Sequence, residues 1–154
     1  KTAATSDSLG LSTYDGATNT AELDSATYPA AQWCAALTIN GYSDWYLPAL
    51  YELEICYYNL KPTTQSNVTT AGSNPYAVPS RGSNYTTGTP AQTSVSAFQS
   101  GGSEAFATNI RTWTSTNPGS GLTTATRIDF LDGSQFNNSK TQSLIARAIR
   151  KVAV

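Results

Sequence analysis

Pro48-Ala-Leu-Tyr-Glu-Leu-Glu-Ile-Cys-Tyr-Tyr-Asn-Leu60 is the stretch whose reading decides the fold. Leu50, Leu53, Cys56, Tyr57 and Leu60 recur at three- and four-residue spacing, the period of one helix face. Pro48 has the fixed φ that suits a helix start, and Lys61-Pro62 stops the pattern. A second helix is predicted upstream, opened by Pro29 and carrying Ala30, Ala31, Trp33, Cys34 and Leu37 on its apolar side. Asn40-Gly41 reads as its end, since both residues tolerate the left-handed conformation found there.

Downstream the period changes from helical to alternating. Ile110 to Ser115 is rich in β-formers, Ala125 to Phe130 alternates, and Asp132-Gly133 is a strong hairpin signal. Leu144 to Val154 alternates again, with basic residues on one side, and reads as a last strand. Helices first and antiparallel strands afterwards give an α+β class, in one domain spanning 1–154. Residues 1–24 form a polar N-terminal segment with turn signals at Asp15-Gly16 and Asn19, and a short strand is expected from Leu9 to Tyr14. Between helices and strands lies the run 63–102, built of Ser, Thr, Gly, Asn and Pro. Loops of such length in compact domains are usually functional or disordered. Tyr76, Val78, Tyr85, Val95 and Phe98 punctuate this one and predict an ordered excursion pinned to the body.

Composition narrows the function. The chain has no His, which removes Ser-His-Asp and Cys-His nucleophile systems together with the commonest proton shuttle and metal ligand. Two cysteines make no structural zinc site, no calcium-loop pattern occurs, and no glycine-rich phosphate cradle is present. No metal and no cofactor is therefore expected, and no enzymatic activity. Glu52, Glu54, Asp129 and Asp132 are the raw material for glycoside hydrolysis by paired carboxylates, but the two glutamates point to different faces of their helix and read as surface charge. Nine Lys and Arg against ten Asp and Glu form no basic stripe, so nucleic acid is not an expected partner. No apolar run is long enough for membrane insertion as a helix. The absence of Met, with the abundance of Ser, Thr and Asn, points to a processed or excised chain and predicts an extracellular, cell-surface or virion-surface location.

Cys34 and Cys56 occupy the apolar sides of the two predicted helices. They read either as a disulfide between those helices or as two buried thiols packing as small hydrophobes.

Ser43-Asp-Trp-Tyr-Leu-Pro-Ala-Leu-Tyr-Glu-Leu53 resembles the hallmark of the Lcl (collagen-like adhesin) C-terminal domain family of bacteria and phages, Asp-Trp-Arg-Leu-Pro-Thr followed by Glu-Leu. Asp44, Trp45, Leu47, Pro48, Glu52 and Leu53 match; Tyr46 and Ala49 depart. The Ala-rich segment before Cys34, Thr112-Trp-Thr-Ser-Thr116, Ile128-Asp-Phe before Gly133, and Ala146-Arg-Ala-Ile-Arg150 resemble the family's other elements in the same order. The resemblance implies a C-type-lectin-like or formylglycine-generating-enzyme-like fold, with two helices on small twisted antiparallel sheets and long loops to one side. Where the family carries a C-terminal Cys this chain has Ala148, which leaves Cys56 as the implied disulfide partner of Cys34.

Within that frame the motif is scaffold. Trp45, Leu47, Leu53 and Trp113 are expected in the core, Asp44 at the helix start accepting backbone N–H groups, and Arg147 and Arg150 paired with Asp44 or Glu52. Recognition is expected on the excursion, where Tyr76, Arg81, Asn84 and Tyr85 combine aromatic area with adaptable polar groups. The function so implied is a recognition domain of an adhesin or phage tail fibre that binds a surface glycan or protein receptor. It would act as a homo-oligomer or as part of a larger fibre. The alternative is a structural virion decoration or filament subunit, its loops buried between copies.

Overall fold

The computed structural model describes residues 9–119 and 123–152, and shows a small α+β protein. Three helices, α1 (Gly16–Glu22), α2 (Pro29–Ala35) and α3 (Leu50–Leu60), precede a three-stranded antiparallel sheet of β1 (Thr112–Trp113), β2 (Thr124–Ile128) and β3 (Gln135–Ser139). β2 is central, with Thr112 opposite Ile128 on one side and Ile128 opposite Gln135 on the other. Among the described residues no helix is long and apolar enough to cross a membrane.

α3 lies where its apolar period places it. Leu53 and Tyr57 are fully buried, with Leu50, Cys56 and Leu60 packed around the same cluster against Ile128 of β2 and Phe130 just beyond it. The Asp132-Gly133 signal closes the β2–β3 hairpin. Gly133 has φ +78, its N–H donates to the Asp129 carbonyl at 2.8 Å, and the Asp132 carboxylate accepts from Ser134 N at 2.9 Å. Asp129 and Asp132 are thus turn-building side chains.

Several expectations are corrected. No strand forms over Leu9–Tyr14; that segment leads into α1. Asp15 caps this helix through Thr18 N at 3.2 Å, so Asp15-Gly16 is a helix start where a turn was expected. α1 turns Asn19 and Thr20 inward, where Asn19 Nδ2 donates to Ser12 O and Ser115 Oγ, and Thr20 Oγ1 exchanges hydrogen bonds with Leu47. A helix with a polar inner face leaves no apolar stripe to read. Asn40 and Gly41, both at positive φ, do not end α2; they form the two-residue turn of a small hairpin closed by Ile39 and Tyr42.

The C-terminal run is not a continuous strand. It makes two isolated bridges, Ile145 with Thr112 and Ile149 with Tyr46, and so ties β1 to the segment ahead of α3. Residues 153–154 of the expected strand lie outside the described residues.

The cysteine expectation fails for a reason of packing. Cys34 sits in a cluster with Leu23, Leu47 and Trp113, while Cys56 packs on the Leu53–Tyr57 cluster, and no disulfide joins them. The two predicted helices do not face each other: α2 packs on α1, and α3 on β2. Burial, and then the nearby Glu52 carboxylate, push the Cys56 thiol up to about 11. At pH 8 its thiolate fraction is therefore on the order of one in a thousand. In native protein at pH 8, Cys56 should react with iodoacetamide at least about a hundredfold more slowly than a free thiol. Both cysteines should label promptly in denaturant without reductant, and mass spectrometry counts them directly.

Candidate binding site

The site grows out of a buried carboxylate. α3 turns Glu54 toward the excursion, where the residue is 0% exposed. Oε1 accepts from the Tyr85 hydroxyl at 2.8 Å; Oε2 accepts from Asn74 Nδ2 at 2.6 Å and from the Arg81 guanidinium. An ionised carboxylate removed from water is costly unless charge-paired and hydrogen-bonded, and these three loop residues supply both. Burial, and then the Glu54 charge, push the Tyr85 hydroxyl well above its ordinary range, so it remains a donor. Glu54 is thus the centre of an internal network, where a surface charge was expected.

Further polar side chains fix the rest of the excursion. Asn74 Nδ2 also donates to Tyr51 O, its Oδ1 accepts from Tyr76 N, and its backbone pairs with Arg81 in both directions. Tyr57 donates to Asn67 Oδ1 at 2.6 Å, and Asn67 Nδ2 donates to the Thr86 and Pro90 carbonyls. The buried Lys61 ammonium donates to the Gln65 and Pro90 carbonyls, and desolvation lowers its pKa. Gly72, at φ +114, lies against the Tyr85 ring, where an added Cβ would sit 2.2 Å from Cδ1. The loop is thus pinned to the body by polar side chains; of the residues expected to pin it, Tyr85 is buried, but Tyr76 and Val95 are about half exposed and Val78 is 99% exposed.

The four expected contact residues separate into different roles. Tyr85 is only 5% exposed and belongs to the core; it reaches the surface as part of a cleft floor. Arg81 lies over the Tyr58 ring at 3.9 Å and walls two adjoining clefts. The first, about 320 Å³, is lined by Tyr58, Gly82, Ser83, Asn84, Thr86 and Thr89 among others. The second, about 240 Å³, runs between Ile55 and Asn59 of α3 and the loop residues Ala77 to Pro79. Asn84 is exposed, accepting from Ser73 N and donating to Thr69 O. Tyr76 lines neither cleft. Half exposed at 50%, it stacks on Tyr14 at 4.3 Å and lies 5.5 Å from Tyr51.

Tyr58 and Tyr14 were missed by the sequence reading. Tyr58 falls off the apolar stripe of α3, and an aromatic on the polar side of a helix was the available signal. Tyr14 lies in a segment read as a plain strand.

The motif residues are scaffold, with three changes. Leu47, Leu53 and Trp113 are core as expected, and Pro48 is buried with them. Trp45 is only half-buried, its Nε1 donating to Tyr42 O. The carboxylate at the α3 start is Glu52, not Asp44: Oε2 accepts from Ala49 N and from Gly16 N of α1, each at 2.9 Å. Asp44 instead forms a two-point pair with Arg150, and this pairing holds its carboxyl below the usual range. Arg147 pairs with Glu104, and Lys151 with Glu52, so the C-terminal basic cluster is compensated internally. Among the described residues no group of three or more His, Cys, Asp or Glu is placed to hold a metal ion.

Compared with protein-family models, with curated proteins and with solved structures, the chain matches none.

Replacing Glu54 with Ala should cost about 3–5 kcal/mol, since it strands the Arg81 charge and two buried donors. Urea denaturation measures the loss. E54A combined with R81A should recover part of it, because the two side chains are directly coupled.

Proposed function

We propose that this chain is a non-enzymatic recognition domain, displayed at a cell or virion surface by an adhesin or a tail fibre, that binds a surface glycan or protein receptor. Its scaffold is of the C-type-lectin-like kind that the Asp44–Leu53 motif suggests, and the excursion 63–102 carries the binding surface. One observation carries the reading: a long polar loop held from inside by Glu54, with two adjoining clefts around Arg81 on its outer side. A rigid loop loses little conformational entropy on binding, so its few contacts count more fully toward affinity. The lack of His supports binding over catalysis.

The structural-subunit reading has its own support. Val78 is 99% exposed and Val95 51% exposed, which suits burial against a neighbouring copy.

Two substitutions separate the readings. Gly82 lines the larger cleft, and a Cβ placed there meets nothing within 4 Å, so Gly82→Phe adds bulk at the cleft wall without a clash at its Cβ. Under the recognition reading G82F loses binding to target cells by about tenfold or more, roughly 1.4 kcal/mol, with thermal stability unchanged. Under the subunit reading G82F is silent, and Val78→Asp lowers the oligomeric mass seen by light scattering.

A further inference from the structure

The chemistry of the larger cleft narrows the class of ligand, on the reading that the excursion is the binding surface. Within the run 63–102, Arg81 is the only charged residue. Its guanidinium is committed on one side to Glu54, itself fully buried, and on its face to the Tyr58 ring. The pair carries no net charge, and the acid lies behind the base as seen from the cleft. No other lining residue is ionised at neutral pH: the wall is Tyr58, Gly82, Ser83, Asn84, Thr86 and Thr89 with Tyr85 and Gly72 below.

Anion recognition needs uncompensated cationic donors, as in arginine clusters that read carboxylate or phosphate. This cleft has a compensated one. Its other polar groups are hydroxyls and an amide, each able both to donate and to accept. That dual capacity matches sugar hydroxyls, which also do both. The cleft is concave and close in size to small-ligand sites of about 300–1,000 Å³, whereas a protein partner needs roughly 800 Å² of surface with an apolar centre.

We infer that the cleft framed by Tyr58, Arg81, Ser83, Asn84 and Thr86 takes an uncharged saccharide unit and discriminates against sialylated, uronate-bearing or sulfated sugars. The neutrality of the Glu54–Arg81 pair sets this preference. Binding is accordingly insensitive to salt, because no counterions are released and no long-range attraction is screened.

The test uses the full chain on a glycan surface bearing glucose-, galactose- and N-acetylglucosamine-terminated oligosaccharides beside sialylated, uronate-containing and sulfated counterparts. The wild type and G82F are each measured at low and high sodium chloride. The expected result is binding to neutral members, with less than about a twofold change between the two salt concentrations and a loss of about tenfold or more in G82F. Binding confined to anionic members, falling steeply with salt, overturns the inference and leaves the recognition reading standing. So does an absence of glycan binding while G82F still loses attachment to target cells, which makes the receptor a protein. If G82F retains cell attachment, both the inference and the recognition reading fail together.

Discussion

A single buried carboxylate, that of Glu54, sets the terms for the excursion 63–102. Placing a carboxylate in a fully buried position is unfavourable by several kcal/mol unless donors meet it, and α3 alone supplies none. The donors come from the excursion: Asn74, Arg81 and Tyr85 converge on the two oxygens. The loop cannot drift away without stranding the charge, and the charge could not be buried without the loop. A segment with few apolar residues thereby acquires the order that hydrophobic burial usually provides.

Glu52, two residues earlier on the same helix, performs a parallel task on the other side. Its Oε2 accepts from both Gly16 and Ala49, satisfying backbone donors at the starts of α1 and α3 together. Helix starts leave several N–H groups without intrahelical partners, and one shared carboxylate fixes the two starts relative to each other. Gly16 is required there, since a Cβ would lie 2.4 Å from that same oxygen. The two glutamates thus organise opposite sides of α3, one locking helix to helix and the other helix to loop.

What could be read in advance follows from which forces leave a periodic trace. The apolar stripe of α3, the Asp132-Gly133 turn and the burial of Leu47, Leu53 and Trp113 all express hydrophobic period or turn chemistry, and all were legible. α1 was not, because its inner face carries Asn19 and Thr20, and polar packing has no period that distinguishes it from a loop. The cysteines were misjudged because two apolar helices need not share one cluster: here Trp113 and Leu47 fill the first, Tyr57 and Phe130 the second. For the candidate site, Arg81 and Asn84 were legible as polar groups on an uncharged loop. The inward turn of Tyr85 was not, since it depends on a carboxylate far away in the sequence. Nor was the role of Tyr58, which only the folded loop brings beside Arg81.

The anchoring of the excursion divides its residues into two kinds. Asn67, Asn74, Arg81 and Tyr85 are tied to the interior, together with Gly72 under the Tyr85 ring. Ser83, Asn84, Thr87 and Gly88 face outward, and a Cβ at Gly82 or Gly88 meets open space. Substitutions at the outward positions leave the buried network untouched and have small effects on folding. Inheritance can therefore rewrite the lining of the cleft one position at a time while the frame that holds it stays the same. On the recognition role proposed above, a lineage facing a changing set of surfaces would find new specificities here without first having to repair its fold.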